Sequence, residues 1–200
     1  MNKSGAENRS VRNTKRRLRE GLLQLLEGKP INEISIKELT ELVDVNRGTF
    51  YFHYQDIYDL LRDMETEFFE QFDRTLSENS PALDEDGFPV LDAESAPYLH
   101  AIFSFVDENR SFCRIMLSPH GDMKFVELVK ERIDRQCRFF WQLLAPGADE
   151  AQSGMYNAFL INGLIGLIRE WVNDRRDLSV ESISELTATL ILASVGPCIS

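Results

Sequence analysis

The stretch Ile34–Leu61, ISIKELTELVDVNRGTFYFHYQDIYDLL, decides the fold, because it encodes two short helices and the tight link between them. Ser35 followed three residues later by Glu38 is a capping box, so a helix should begin at Ile36. Ile36, Leu39, Leu42 and Val43 recur at helical spacing and are expected to face a core, and the helix should end near Asp44. Asn46 is a good cap for a second helix, in which Phe50 and Tyr54 fall four residues apart on one face, able to pack against the first. Arg47, Gly48 and Thr49 are left facing outward at its start, with Tyr51 and His53 flanking. A recognition helix in a major groove reads bases with its N-terminal residues. A long donor, a residue without a side chain and a small hydroxyl suit close approach there. The same pattern also fits a helical hairpin in an ordinary all-α core with a solvated polar turn.

Charge separates the two ends of the chain. The 200 residues carry a formal net charge of -11, which taken whole argues against a DNA partner. Residues 1–54, however, hold ten Lys/Arg against seven Asp/Glu, whereas residues 55–200 hold twelve against twenty-six. Phosphate would repel the acidic body, so any DNA contact must come from the basic end. Lys3, Arg9, Arg12, Lys15, Arg16, Arg17 and Arg19 crowd the first nineteen residues against the single acid Glu7. Residues 1–9 are expected to form a flexible basic arm, unless they are simply a solvated tail. Leu18, Leu22, Leu25 and Leu26 then mark the buried stripe of a first helix. A helix-turn-helix domain would occupy residues 10–56.

Beyond it, residues 57–200 should form a helical body for effector binding and dimerisation; with 43% hydrophobic residues the chain can build a sizeable core. Leu60, Leu61, Met64, Phe68, Phe72 and Leu76 repeat at helical spacing. Pro81, Gly87, Pro89 and Pro97, mixed with five acids, indicate an exposed acidic loop over about residues 79–96. Helical period resumes at Leu99, Ile102, Phe103 and Val106, breaks at 108–110, and continues through Phe112, Ile115, Met116 and Leu117. A long helix from Phe125 to Leu144 should stop at Pro146 and Gly147. Phe103, Phe112, Met116, Phe125 and Phe140 either line a small-molecule pocket or fill the core. In the final third, Gly163 and Gly166 lie on nearly one helical face, where each glycine costs about 1 kcal/mol relative to alanine. Such small residues permit close helix approach, within one chain or across a two-fold four-helix bundle. The dimer reading would use Phe159, Gly163, Gly166, Leu167, Ile183, Leu190 and Ile191, and would set two reading heads about 34 Å apart, one DNA turn.

Several classes find no foothold. No nucleophile and base, paired carboxylates or Gly-rich phosphate loop stands at a telling spacing, so neither an enzyme nor a cofactor is expected. His53, His100 and His120 match no metal spacing. Cys113, Cys137 and Cys198 are an odd set without a close pair, which fits buried thiols in a reducing cytoplasm. No run of about eighteen apolar residues would span a membrane, and the N-terminus is too polar for a signal peptide.

The run VNRGTFYFHYQDIYDLL resembles the recognition helix and following helix start of the TetR family of transcriptional regulators, in which a Gly-Thr or similar pair precedes an aromatic-aromatic-His-aromatic run. The resemblance implies an all-α protein with an N-terminal three-helix DNA-binding domain and a C-terminal helical ligand and dimerisation domain. It implies that Arg47, Gly48 and Thr49 approach base edges while Ser35, Lys37, Tyr51 and His53 hold phosphates. Asn46 and Phe52 complete the expected DNA-binding set. The departure is at Ile57, where many members carry Lys, and at Gln55, where another basic residue is common. FVDENRSFCRIMLSPHGDMKFVELVKERI and FLINGLIGLIREWVNDRRDLSVESISEL are similar to the C-terminal domain of a Gram-positive subgroup that includes a regulator of dihydroxyacetone kinase genes. A cytoplasmic homodimeric repressor on a palindromic operator, with a possible small-molecule effector, is the expectation. A coactivator or adaptor acting through a partner protein is the alternative.

Overall fold

In the computed structural model, residues 3–79, 96–119, 121–144, 150–173 and 178–199 are described, and no strand occurs among them. The helices are α1 (Lys3–Leu26), α2 (Ile36–Leu42), α3 (Arg47–His53), α4 (Ile57–Glu78), α5 (Ala96–Glu108), α6 (Arg110–Met116), α7 (Met123–Leu144), α8 (Glu150–Asn173) and α9 (Val180–Ile199). A single 3-10 turn, Ile31–Glu33, precedes α2. None of the described helices is long and apolar enough to cross a membrane. The chain divides into two compact units, Met1–Glu70 with Pro119–Gly121, and Gln71–Ser118 with Asp122–Ser200.

In the first unit, α1 starts at Lys3, so residues 3–9 are helical where a flexible arm was expected. Ala6, Glu7, Arg9 and Arg12 are good helix formers, no proline interrupts the run, and a helix already anchored by its apolar stripe propagates at little cost. Arg16 reinforces the exposed side by donating to Asn13 (3.0 Å) and Glu20 (2.9 Å). Leu18, Leu22 and Leu26 are buried as the periodicity predicts, with Leu25 half-buried. Leu39, Phe50, Ile57, Leu60 and Leu61 of the same unit are buried as well. Leu42, expected to face the core, is 42% exposed, because the seven-residue α2 buries Leu39 and Thr40 and leaves Ile36 and the C-cap Val43 half-buried.

The unit ends inside α4, fourteen residues beyond the boundary expected at 56. Its first turns are tied to α1: Asp63 accepts from Arg19 at 2.9 Å, and Glu67 pairs with the same guanidinium. Sequence periodicity shows a helix there but not which neighbour holds it.

The second unit packs α5 against α9, and both α6 and α7 against α8. Phe103 meets Trp171 edge-on at 5.4 Å, and Arg110 lies 4.9 Å above the same indole while donating to the Trp171 carbonyl at 2.6 Å. Trp171 in turn donates to the carbonyl of Leu178 at 2.9 Å. The expected break at 108–110 is real, with Asn109 between α5 and α6 and its amide donating to the Phe105 carbonyl at 2.9 Å. Cys113 is buried, and burial pushes its thiol up to about 12. Residues 80–95, most of the anticipated acidic loop, and the expected stop at Pro146 and Gly147 lie outside the described residues.

Gly21 of α1 lies against Leu39 of α2 and against Val43 at its C-cap. A Cβ there would lie 2.2 Å from Val43 Cγ1 and 3.0 Å from Leu39 Cδ1. Overpacking costs about 1–3 kcal/mol and exceeds the gain of about 1 kcal/mol in helix propensity. Gly21→Ala should therefore lower stability by about 1 kcal/mol in urea melts. Combination with Val43→Ala should recover part of that loss, and simple additivity of the two changes would refute the contact.

Candidate nucleic-acid interface

Local capping sets each part of the helix-turn-helix. Ser35 Oγ accepts from the Glu38 backbone N–H at 3.1 Å, as the capping box predicts. The Glu38 carboxylate, by contrast, is held by Lys29, whose Nζ lies 2.6 Å from both oxygens. Thr40 is buried without penalty because its hydroxyl donates to the Ile36 carbonyl at 2.8 Å. At the link, Asp44 adopts φ 48°, a left-handed conformation that Asp tolerates better than most residues. Val45 N–H donates back to the Thr40 carbonyl at 2.9 Å. Arg17 reaches across from α1 to donate to the carbonyls of Val43 and Asp44, the latter at 3.2 Å. These are the orphan acceptors at the end of α2, so Arg17 serves the fold and not the basic surface.

Asn46 Oδ1 accepts from the Gly48 N–H at 2.7 Å and starts α3. Phe50 is fully buried, Tyr51 stands edge-on to it at 5.8 Å, and Tyr54 is buried behind it. The Tyr54 hydroxyl donates to Asp63 at 2.7 Å, Lys15 sits 5.2 Å over the Tyr54 ring, and Lys15 Nζ is 3.5 Å from Asp63. Burial, then the hydrogen bond to Asp63, pushes the phenol well above its ordinary value. Burial alone would raise Asp63, but hydrogen bonds from Arg19 and Tyr54 and the charges of Lys15 and Arg19 outweigh it, so its carboxyl is held below the usual range. One carboxylate thus fastens α1, the end of α3 and the first turns of α4 together. Sequence reading missed Arg17, Gly21, Arg19 and Asp63 because each acts on a partner distant in the chain.

The expected DNA-binding residues lie on this scaffold. Ser35, Lys37, Asn46, Arg47, Gly48 and Thr49 are exposed, as are Tyr51 (60%) and Phe52 (79%). Ser35 and Asn46 are engaged as caps, and Lys37 lies 3.9 Å from Glu41. His53 is half-buried and edge-on to Phe52 at 5.0 Å. Burial, and after it the charge of Lys15, holds its imidazole below the ordinary value, which leaves it a neutral donor at pH 7. Ile57, at the place where the resembling family often carries lysine, is 4% exposed and belongs to the core. Asp56 and Asp59 cap that helix start: Asp59 N–H donates to Asp56 at 2.7 Å and Gln55 N–H to Asp59 at 3.0 Å.

The second unit corrects part of the expected site. Phe103, Phe112, Met116 and Phe125 are buried, with Phe112 closed edge-on against Phe125 at 5.5 Å. Phe103 packs on Trp171, and the Phe140 side chain lies outside the described residues. Ile183, expected at a dimer interface, is 1% exposed and part of the buried face of α9. That face is Ile183, Ser184 and Thr187, with the hydroxyls satisfied by the carbonyls of Val180 (2.6 Å) and Ile183 (2.7 Å). The leucines of the helix are more exposed: Leu186 is 43% exposed, Leu190 50% and Leu192 38%. On α8, Phe159 is 65% exposed, and a Cβ at Gly163 or Gly166 would meet nothing within 4 Å. Leu167 and Ile191 are half-buried.

The TetR C-terminal family model, described as the transcriptional regulator C-terminal region, matches residues 94–193. The chain is 25% identical over 182 residues to the HTH-type transcriptional regulator YxbF of Bacillus subtilis (strain 168). That match takes in 87% of this chain but 43% of the relative, so the chain spans less than half of that protein's length. Among solved structures, it is similar to a TetR transcriptional regulator from Streptococcus agalactiae 2603V, with a TM-score of 0.60 and 18% identity. The alignment covers 94% of this chain and 98% of the other. It is also similar to the dihydroxyacetone kinase operon activator DhaS, with a TM-score of 0.55 and 16% identity over 92% of this chain and 97% of that one. At these identities the structural likenesses establish the all-α fold.

The Asp63 cluster has a pH signature. A carboxyl lowered in the folded state stabilises fully above its unfolded pKa of about 3.9, and that stability is lost as pH falls through the lower folded value. Asp63→Asn should be less stable than the parent by about 1 kcal/mol at pH 7, a modest figure because the group is partly exposed. The gap should narrow below about pH 4 in urea melts. A gap independent of pH, or none, would contradict the assignment.

Proposed function

Because the chain belongs to the TetR family of transcriptional regulators, we propose that it acts as a homodimer whose two recognition helices read a two-half-site operator on double-stranded DNA. The observation that carries this reading is the outward face of α3: Arg47, Gly48, Thr49 and Phe52 stand free of the core on a helix capped by Asn46 and anchored by Phe50 and Tyr54. Arg47 supplies the long donor for a base edge, while Gly48 lets the backbone come close. Lys37, Tyr51 and a neutral His53 donate to phosphates and fix register. The reading implies the cytoplasm as its compartment.

The dimer proposal rests on α8 and α9. Two glycines inside a helix cost about 1 kcal/mol each, and among the described residues nothing lies within 4 Å of a Cβ built on Gly163 or Gly166. With Phe159 of α8 and Leu190 of α9 exposed, a second copy of the same surface is the natural cover. Leu186 and Leu192 replace Ile183 in the proposed interface.

The finer reading is a repressor released by a small molecule. Phe103, Phe112, Met116 and Phe125 are buried and Phe112 packs on Phe125, so a ligand among them would have to select a state in which they repack. A second reading, an adaptor working through a partner protein, draws on Ile57 and the two carboxylates at the start of α4. Each missing phosphate contact lowers the counterion-release contribution to affinity.

Selection of bound fragments from genomic DNA at about 0.1 M salt, where distant surface charges are screened, tests the reading. A palindrome with two half-sites is expected, and Arg47→Ala should weaken binding to it by about 1–3 kcal/mol. Gly163→Leu should shift sedimentation from dimer to monomer and reduce operator affinity while retaining helicity. Weak binding without sequence preference, unchanged by Arg47→Ala, would favour the adaptor.

A further inference from the structure

Phe52 is 79% exposed in the middle of the face that α3 turns away from the core. At about 100° per residue it lies opposite the midpoint of the buried Phe50 and Tyr54. One turn earlier on the same side stands Gly48, where an added Cβ would meet only Asn46 Oδ1, at 3.2 Å. The ring therefore projects beside bare backbone, and it is steadied edge-on by His53 at 5.0 Å. Nothing in the fold of the first unit requires an aromatic ring at this position. A solvated position on a seven-residue helix would be served better by a charged or small polar residue.

We propose that Phe52 is a specificity-determining residue that selects thymine by packing against its 5-methyl group. The proposal rests on the DNA-reading function above and names the base that one side chain reads. In the major groove, guanine, adenine and cytosine present hydrogen-bonding groups that a phenyl ring cannot satisfy; thymine alone adds an apolar group. A ring pressed on a polar base edge would desolvate it without compensation. Arg47, exposed at the helix start, keeps its hydrogen-bonding capacity for a different base. The exposed cations suit the occupant: Arg47 starts the same helix and Lys37 lies on α2, both solvent-facing.

The test compares the full-length protein on its selected operator with duplexes in which each thymine of the half-site is replaced in turn by deoxyuridine, which removes only the methyl. One position per half-site should weaken binding by about fourfold, the value of one buried methyl-sized group. Phe52→Ala should bind the parent operator more weakly and be indifferent to deoxyuridine at that position, whereas Arg47→Ala should keep the deoxyuridine penalty. Circular dichroism would verify that Phe52→Ala retains its helices, as expected for so exposed a ring. Specific binding with no deoxyuridine-sensitive position, or a penalty that persists in Phe52→Ala, would overturn the assignment and point to an apolar pocket on a protein partner. Failure to select any DNA sequence would instead overturn the DNA reading, and this assignment with it.

Discussion

The Asp63 carboxylate holds the reading head together. α3 has seven residues, too few for an isolated helix to persist in water, so its order must come from tertiary contacts. Phe50 and Tyr54 provide the apolar part by filling the space beneath it. The Tyr54 hydroxyl then has to find an acceptor in a partly dry site, and Asp63 of α4 is that acceptor, itself balanced by Arg19 and Lys15 of α1. Three helices are thereby fixed at a single charged node, which holds the outer face of α3 steady without using any of its side chains. Ile57, at the start of α4, is buried and adds apolar anchoring to the same helix.

This arrangement divides the basic residues by task. Arg17 closes the end of α2, Arg19 and Lys15 neutralise Asp63, and Lys29 binds Glu38. The basic excess of the N-terminal quarter therefore overstates the cations aimed at a partner. Among the described residues, Arg47 and Lys37, together with the exposed Arg9, Arg12 and Arg16 of α1, are the ones on the surface. Fewer outward cations make base-edge and apolar contacts a larger share of any DNA affinity, which is why the character of Phe52 matters to the account.

Legibility in the sequence followed the range of the interactions. The cap at Ser35, the start of α3 at Asn46, and the stripe from Leu60 to Leu76 are local patterns, and the fold obeys them. Contacts across the chain left no local trace. Nothing in the local sequence marks Gly21, whose close neighbour Val43 is twenty-two residues away in the chain. Residues 3–9 looked like a tail because composition registers polarity and not the helix that Leu18 and Leu22 anchor downstream. On α9 apolar residues line more than one side, so periodicity could not tell which face turns inward. The buried face holds Ser184 and Thr187, permitted by their bonds to backbone carbonyls, and the leucines are left outside. Ile183 was misread for that reason. The outward residues of α3 were legible as a set, since a short capped helix with two buried aromatics leaves little choice about what faces away.

The central claim is that α3 is the surface that meets DNA. Amide hydrogen exchange, measured with and without a selected operator duplex and with a scrambled duplex of equal length, tests it most directly. The account predicts that operator alone slows exchange across Arg47–His53 and at the start of α2, with the Asp63 node protected in every sample. Operator-dependent protection that bypasses Arg47–His53 and falls elsewhere on the chain would contradict it.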